Sequence, residues 1–235
     1  MSAPALALSF FDAAHDIHGT ARSGMTILFE GRKPVALPEG PEVEATDTGW
    51  RAQLGDNLSL EFEPVSAAAD LGGVRARVAR VTGEAGGRRV DGLGTVTETD
   101  VPPRWEELDA IRAVSALVDE QHALMAVARR PRGAVGHGDE LVTACLLEEE
   151  SLLEVETARI STVYDGGGRQ RSAGLELWLP GEDFPRRGSG LVIAGSSLDL
   201  EGLHAHVAVF RWRLDGREGI GSYELMLRTE PPAAA

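Results

Sequence analysis

Residues 159–228 read RISTVYDGGGRQRSAGLELWLPGEDFPRRGSGLVIAGSSLDLEGLHAHVAVFRWRLDGREGIGSYELMLR. Short alternating segments are broken here by glycine turns. Arg159–Tyr164 is closed by Asp165-Gly166-Gly167-Gly168, and Ala173–Leu179 by Pro180-Gly181-Glu182-Asp183. Leu191–Leu200 is closed by Glu201-Gly202 and Leu203–Leu214 by Asp215-Gly216, and Ile220–Arg228 ends the run. Asp-Gly between two β-rich segments specifies a tight hairpin, because both central residues need positive φ. Five such segments predict an antiparallel meander, the wall of a sandwich or barrel.

Leu203–Leu214 shows what that wall separates. One face carries His204, His206, Ala208, Phe210, Trp212 and Leu214; the other carries Leu203, Ala205, Val207, Val209, Arg211 and Arg213. Both are apolar in the middle, which predicts a strand with a filled or ligand-holding interior on one side and a covering element on the other. Phe210 and Trp212 should share one buried face. In Ala173–Leu179 the leucines 175, 177 and 179 share a face, so Glu176 and Trp178 lie opposite. Glu176 is expected to project into the interior beside Trp178, where desolvation would raise its pKa and suit it to general-acid work. The competing reading is a solvent-facing carboxylate beside a half-buried ring.

Upstream, Glu106–Val118 could be a helix after Pro103, but Ala110–Val118 and Ala123–Arg129 flank Asp119-Glu120-Gln121-His122 as a hairpin would, and the hairpin is favoured. Leu141–Glu148 and Leu152–Thr157 read as strands around an acidic turn. Asp100–Trp105, with two prolines, is the expected boundary between residues 1–100 and 101–235. In the first part, Leu6–Phe11, a segment over Thr20–Glu30, Glu42–Thr46, Trp50–Leu54, Ser59–Pro64, Val74–Glu84 and Arg88–Thr99 read as strands. No exact internal repeat is visible, but both parts are strand meanders, so the chain is expected to be all-β.

Composition bounds the function. Net charge is −14, which argues against nucleic acid and anionic membrane as partners. The single Cys145 excludes an internal disulfide framework, and in its apolar strand it reads as packed. With no basic leader and no run approaching about eighteen apolar residues, a soluble cytoplasmic protein without membrane insertion is the expectation. Phosphate-binding and dinucleotide-binding glycine motifs, a nucleophile elbow and H-E-x-x-H are all absent, so no cofactor is expected. His204-x-His206 and His15-x-x-His18 have metal-ligand spacing, yet strand histidines more often bond locally, and no metal is expected. His137, Asp139 and Glu140 group an imidazole and two carboxylates after a flexible loop, either a candidate acid–base set with at least one member at a barrel rim or a polar entry to a strand. Arg186-Arg187 could hold an anion or simply be a solvated edge.

Two sets of residues resemble a known family. Arg80-Val81-Thr82-Gly83-Glu84 followed by Val90-Asp91-Gly92-Leu93-Gly94 resembles the opening of the second half of the carotenoid 1,2-hydratase and AttH-like proteins. Ile160–Asp165, Ala173–Trp178 and Arg211–Arg217 are similar to that family's C-terminal meander. The resemblance implies two fused lipocalin-like barrels or half-barrels, the first abbreviated. The superfamily includes fungal cyclases that guide Diels–Alder ring closures. Where the family carries Asp-x-Ser-Trp-Gly-x-Arg-x-Trp, this chain has Thr97–Trp105, and only Trp105 matches, so the hydratase's polar residues are not carried over. The expected function is binding of an apolar terpenoid, polyketide or lipid-like molecule in a barrel, with non-redox hydration, isomerisation or cyclisation as the chemistry it could support. Trp178, Phe210, Trp212, Trp105, Tyr164 and His206 are the candidate ligand contacts, and Glu176, His137, Asp139 and Glu140 the candidate catalytic groups. The alternative is a non-catalytic binding or interaction module with a filled core; a homodimer is left open.

Overall fold

The computed structural model describes residues 4–149, 151–200 and 202–229, with the backbone but not the side chain of His137. The first half comprises β1 (Ala5–Asp12), β2 (Ile17–Arg22), β3 (Met25–Glu30), β4 (Lys33–Leu37), β5 (Glu42–Ala45), β6 (Trp50–Leu54), β7 (Leu58–Pro64), the two-residue β8 (Ala69–Asp70), β9 (Val74–Ala85) and β10 (Arg88–Thr99). The second comprises β11 (Leu108–Leu117), β12 (His122–Pro131), β13 (Leu141–Glu148), β14 (Ser151–Glu154), β15 (Thr157–Tyr164), β16 (Gln170–Trp178), β17 (Arg186–Leu200), β18 (Leu203–Leu214) and β19 (Arg217–Arg228). His137–Asp139 forms one 3-10 turn.

The two halves follow one strand path. The first runs β4-β3-β2-β1-β10-β9-β7-β6-β5, with β8 added on β9; the second runs β14-β13-β12-β11-β19-β18-β17-β16-β15. Every pairing is antiparallel, and in each half the first strand pairs with the last. β4 does not pair with β5, nor β14 with β15, so each sheet curls into a half-barrel with an open side. The first half traces the same nine-strand path with shorter strands at most positions, β7 with 7 residues where β17 has 15, while β9 and β10 match β18 and β19 at 12 each.

Turn chemistry explains the hairpins. Asp215 and Gly216 sit at φ 47° and 84°, the paired positive angles a two-residue turn requires. The segment expected as one strand over Thr20–Glu30 is two, β2 and β3, joined at Ser23-Gly24 with Gly24 at φ 76°. The family-like Arg80–Gly94 residues form the last hairpin of the first half, β9–β10, and not the opening of the second.

Three apolar cores result. Leu8, Phe10, Phe62 and Val81 fill the first half-barrel. Leu175, Leu177, Phe210, Trp212 and Tyr223 fill the second. A third core joins the halves, with Phe11, Met25, Ile27 and Val78 against Leu117, Met125, Val127, Val207 and Val209. This explains why β18 is apolar on both faces: Phe210 and Trp212 look inward while Val207 and Val209 meet the other sheet. Strands without that second contact alternate, as β7 does, buried and exposed residue by residue.

Candidate functional site

The third core is not filled throughout. A cavity of about 370 Å³ lies between the half-barrels, where β1, β2 and β10 face β11, β12 and β19. It exists because the facing positions carry small side chains: Ala7, Ala76 and Ala113 stand where Phe11, Val78 and Leu117 close the interface further along. Exposure rises along β1 from buried Ser9 to exposed Ala5, and along β10 from buried Thr95 to half-buried Thr99. The mouth is thus at the Ala5 and Thr99 end, beside Pro102, Pro103 and Trp105 of the connecting segment.

The wall is mostly apolar, with a small polar set. Arg22 on β2 forms an ion pair with Glu224 on β19, joining the two halves. Its Nη1 lies 3.3 Å from Met226 Sδ, and its buried Nε has no partner among the described residues. Burial pushes the Arg22 guanidinium down to about 10, which still leaves it cationic at neutral pH. Thr20 Oγ1 lies 2.8 Å from Glu224 Oε1 and 3.2 Å from the Leu8 carbonyl, so its one proton serves two acceptors. Two hydroxyl pairs form the floor: Ser9 and Thr95 at 2.7 Å in the first half, Ser115 and Ser222 at 3.0 Å in the second. An apolar cleft with a few convergent polar groups, one an ion pair, has the makeup of a small-molecule site.

Of the residues expected at a site, Trp105 alone lines this cavity. Phe210 and Trp212 share a buried face as expected, at 0% and 1% exposure, but as packing in the second half-barrel, stacked with centroids 5.2 Å apart. Tyr164 is half-buried against that core. His206, buried in the same half, is 2.7 Å by Nδ1 from Ser197 Oγ. Trp178 lies on the outer face, under the Arg159 guanidinium at 5.2 Å. The interior proposed to hold a ligand among Trp178, Phe210 and Trp212 is filled with side chains.

Glu176 corrects the inward expectation. It is opposite Leu175 and Leu177, but those leucines take the interior, and Glu176 points outward at 39% exposure, 3.5 Å from Arg187. Glu140 does the reverse: its side chain is buried to 1% and paired with Arg112 and Arg130. Arg112 also donates to Thr162 Oγ1, Tyr223 Oη and the Ile160 carbonyl at 3.0–3.2 Å. This network clasps β11 and β19 to β15 across the interior, where β14 and β15 do not pair. Burial pushes the Tyr223 phenol up to about 12, so it stays protonated. Asp139 is exposed and accepts the Val135 amide, so it does not join Glu140 in an acid–base pair; the His137 side chain lies outside the described residues.

The histidine motifs find separate local partners: His15 with Asp12, and His204 with Asp199. His18 is buried on β2, tilted against Phe11. Among the described residues no group of three or more His, Cys, Asp or Glu could hold a metal ion, and no helix is long and apolar enough to cross a membrane. Arg186 is engaged by Glu182 and Glu148. Burial pushes the Cys145 thiol up to about 11, which makes it inert as a nucleophile.

The fold has relatives among solved structures. The crystal structure of CghA with Sch210972 matches with a TM-score of 0.62 at 11% identity, over 96% of this chain and 88% of that one. A second CghA crystal structure matches with the same TM-score and identity, over 99% and 89%. No family model matches, and no curated protein matches in sequence. At this identity the likeness is one of fold: both halves together, as a tandem lipocalin-like half-barrel architecture.

Proposed function

We propose that this protein binds one apolar small molecule, terpenoid, polyketide or lipid-like, in the cavity between its half-barrels. The chemistry it supports there is non-redox hydration, isomerisation or cyclisation. The observation that carries this reading is a roughly 370 Å³ cavity, inside the range of small-molecule sites, walled by both halves and crossed by the Arg22–Glu224 pair. Fixed charges and hydroxyls in an apolar space orient a bound molecule and stabilise charge that develops on it. That CghA was crystallised with Sch210972 supports a ligand-holding use of the fold. The packed interiors of the two half-barrels favour a second reading, a non-catalytic module, and what separates the two is turnover of a bound molecule.

The binding claim is tested by titration with the naphthyl ketone fluorophore prodan. Saturable 1:1 binding with blue-shifted emission is expected. Ala7→Leu or Ala113→Leu, which fill the cavity without burying a polar group, should abolish it while the protein stays folded. Equal binding by wild type and both variants would place the ligand elsewhere and overturn the reading.

A further inference from the structure

The two hydroxyl pairs on the cavity floor occupy equivalent places in the two halves. Each joins the first strand of its half to the last, β1 to β10 and β11 to β19. The last strands carry matching tetrads, Gly92-Leu93-Gly94-Thr95 and Gly219-Ile220-Gly221-Ser222. Each glycine lies against a carbonyl of the first strand. A Cβ on Gly92 or Gly94 would come within 2.3 or 2.0 Å of the Phe11 or Ser9 oxygen; on Gly219 or Gly221, within 2.5 or 2.0 Å of the Leu117 or Ser115 oxygen. The tetrad thus draws the two strands together and delivers a hydroxyl beside Ser9 or Ser115. The charged groups break the symmetry: Thr97 of β10 stands in the place that Glu224 holds on β19.

Counting protons shows what the floor lacks. Each pair has two hydroxyl hydrogens and shares one. Ser9 and Thr95 have no other side-chain partner. Ser115 Oγ also accepts the Ser222 amide, which consumes a lone pair and no hydrogen. Each pair is therefore left with one O–H without an acceptor among the described residues. Both pairs face the cavity at the level of the Thr20–Glu224 hydrogen bond: Thr20 pairs in register with Ser9, and Glu224 is two residues from Ser222.

We propose that these two O–H donors, one from each half, receive an acceptor oxygen of the ligand, so that the substrate class is an apolar molecule bearing a carbonyl at its buried end. The proposal rests on the cavity reading above and deepens it. A carbonyl held by two hydroxyls is both positioned and polarised, as a non-redox ring closure or isomerisation of a conjugated ketone requires.

The test compares prodan with its analogue in which a methylene replaces the carbonyl, on wild type and on Ser9→Ala/Thr95→Val. Removing both members of the Ser9–Thr95 pair leaves no orphaned hydroxyl and is close to neutral for folding. Ser115→Ala/Ser222→Ala is the second variant, and circular dichroism checks that both fold. Wild type should bind prodan more tightly than the analogue. Each double variant should lose about tenfold in prodan affinity, blue-shift the bound emission, and hold the analogue unchanged. Equal losses for both probes, or none for either, overturn the hydroxyl floor while leaving the cavity in place. Failure of both probes to bind wild type overturns the cavity reading and the floor with it.

Discussion

Two carboxylates show how burial decides a residue's role. Glu140 sits in a network with the buried Arg112 and the half-buried Arg130, where losing its charge leaves the buried Arg112 guanidinium under-compensated. Breaking a buried ion pair costs about 3–5 kcal/mol. Glu140→Gln should therefore lower the unfolding free energy read from urea denaturation by an amount of that order, with a matching fall in the midpoint. Glu176 is a half-exposed partner of Arg187, and Glu176→Gln should stay within about 0.5 kcal/mol of wild type. Similar midpoints for the two variants would refute the network's structural weight. The parity of strand β16 was readable in the sequence, since alternation put Glu176 opposite Leu175 and Leu177. Which face is inside was not, because a strand's period of two does not name the interior.

At the scale of elements, the hairpins were legible where turn chemistry was explicit, as at Asp215-Gly216, and less so at Ser23-Gly24, where β2 and β3 read as one segment. The glycines of the last strands are a different signal. They mark close backbone approach and have ordinary φ, so turn rules do not find them. Gly221→Ala would drive a Cβ to 2.0 Å from the Ser115 oxygen. Separating β19 from β11 should cost about 1–3 kcal/mol or more, by analogy with overpacking. Gly136, with nothing within 4 Å of its Cβ position, supplies the control, and Gly136→Ala should leave stability unchanged. A neutral Gly221→Ala would mean that the two strands can separate at no cost.

For the whole molecule, the site belongs to neither half. Its polar groups come from β1, β2, β10, β11 and β19, and Arg22 and Glu224 are 202 residues apart in the chain. Local pattern reading finds sites that lie within one motif, and this one lies on none. Its traces in the sequence are single polar residues on apolar strands, Ser9 in β1 and Glu224 in β19, and the degenerate glycine–hydroxyl tetrad that occurs once per half. The aromatic residues Phe210 and Trp212 lie in the second half-barrel instead, where they fill space. The most direct measurement is anomalous diffraction at the bromine edge from crystals soaked in a bromonaphthyl ketone. One bromine peak is expected between the half-barrels, near Ala7 and Ala113, with the ketone oxygen directed at Ser9, Thr95, Ser115 and Ser222. A peak inside either half-barrel, or an inter-barrel space closed by side chains with no bromine in it, would contradict it.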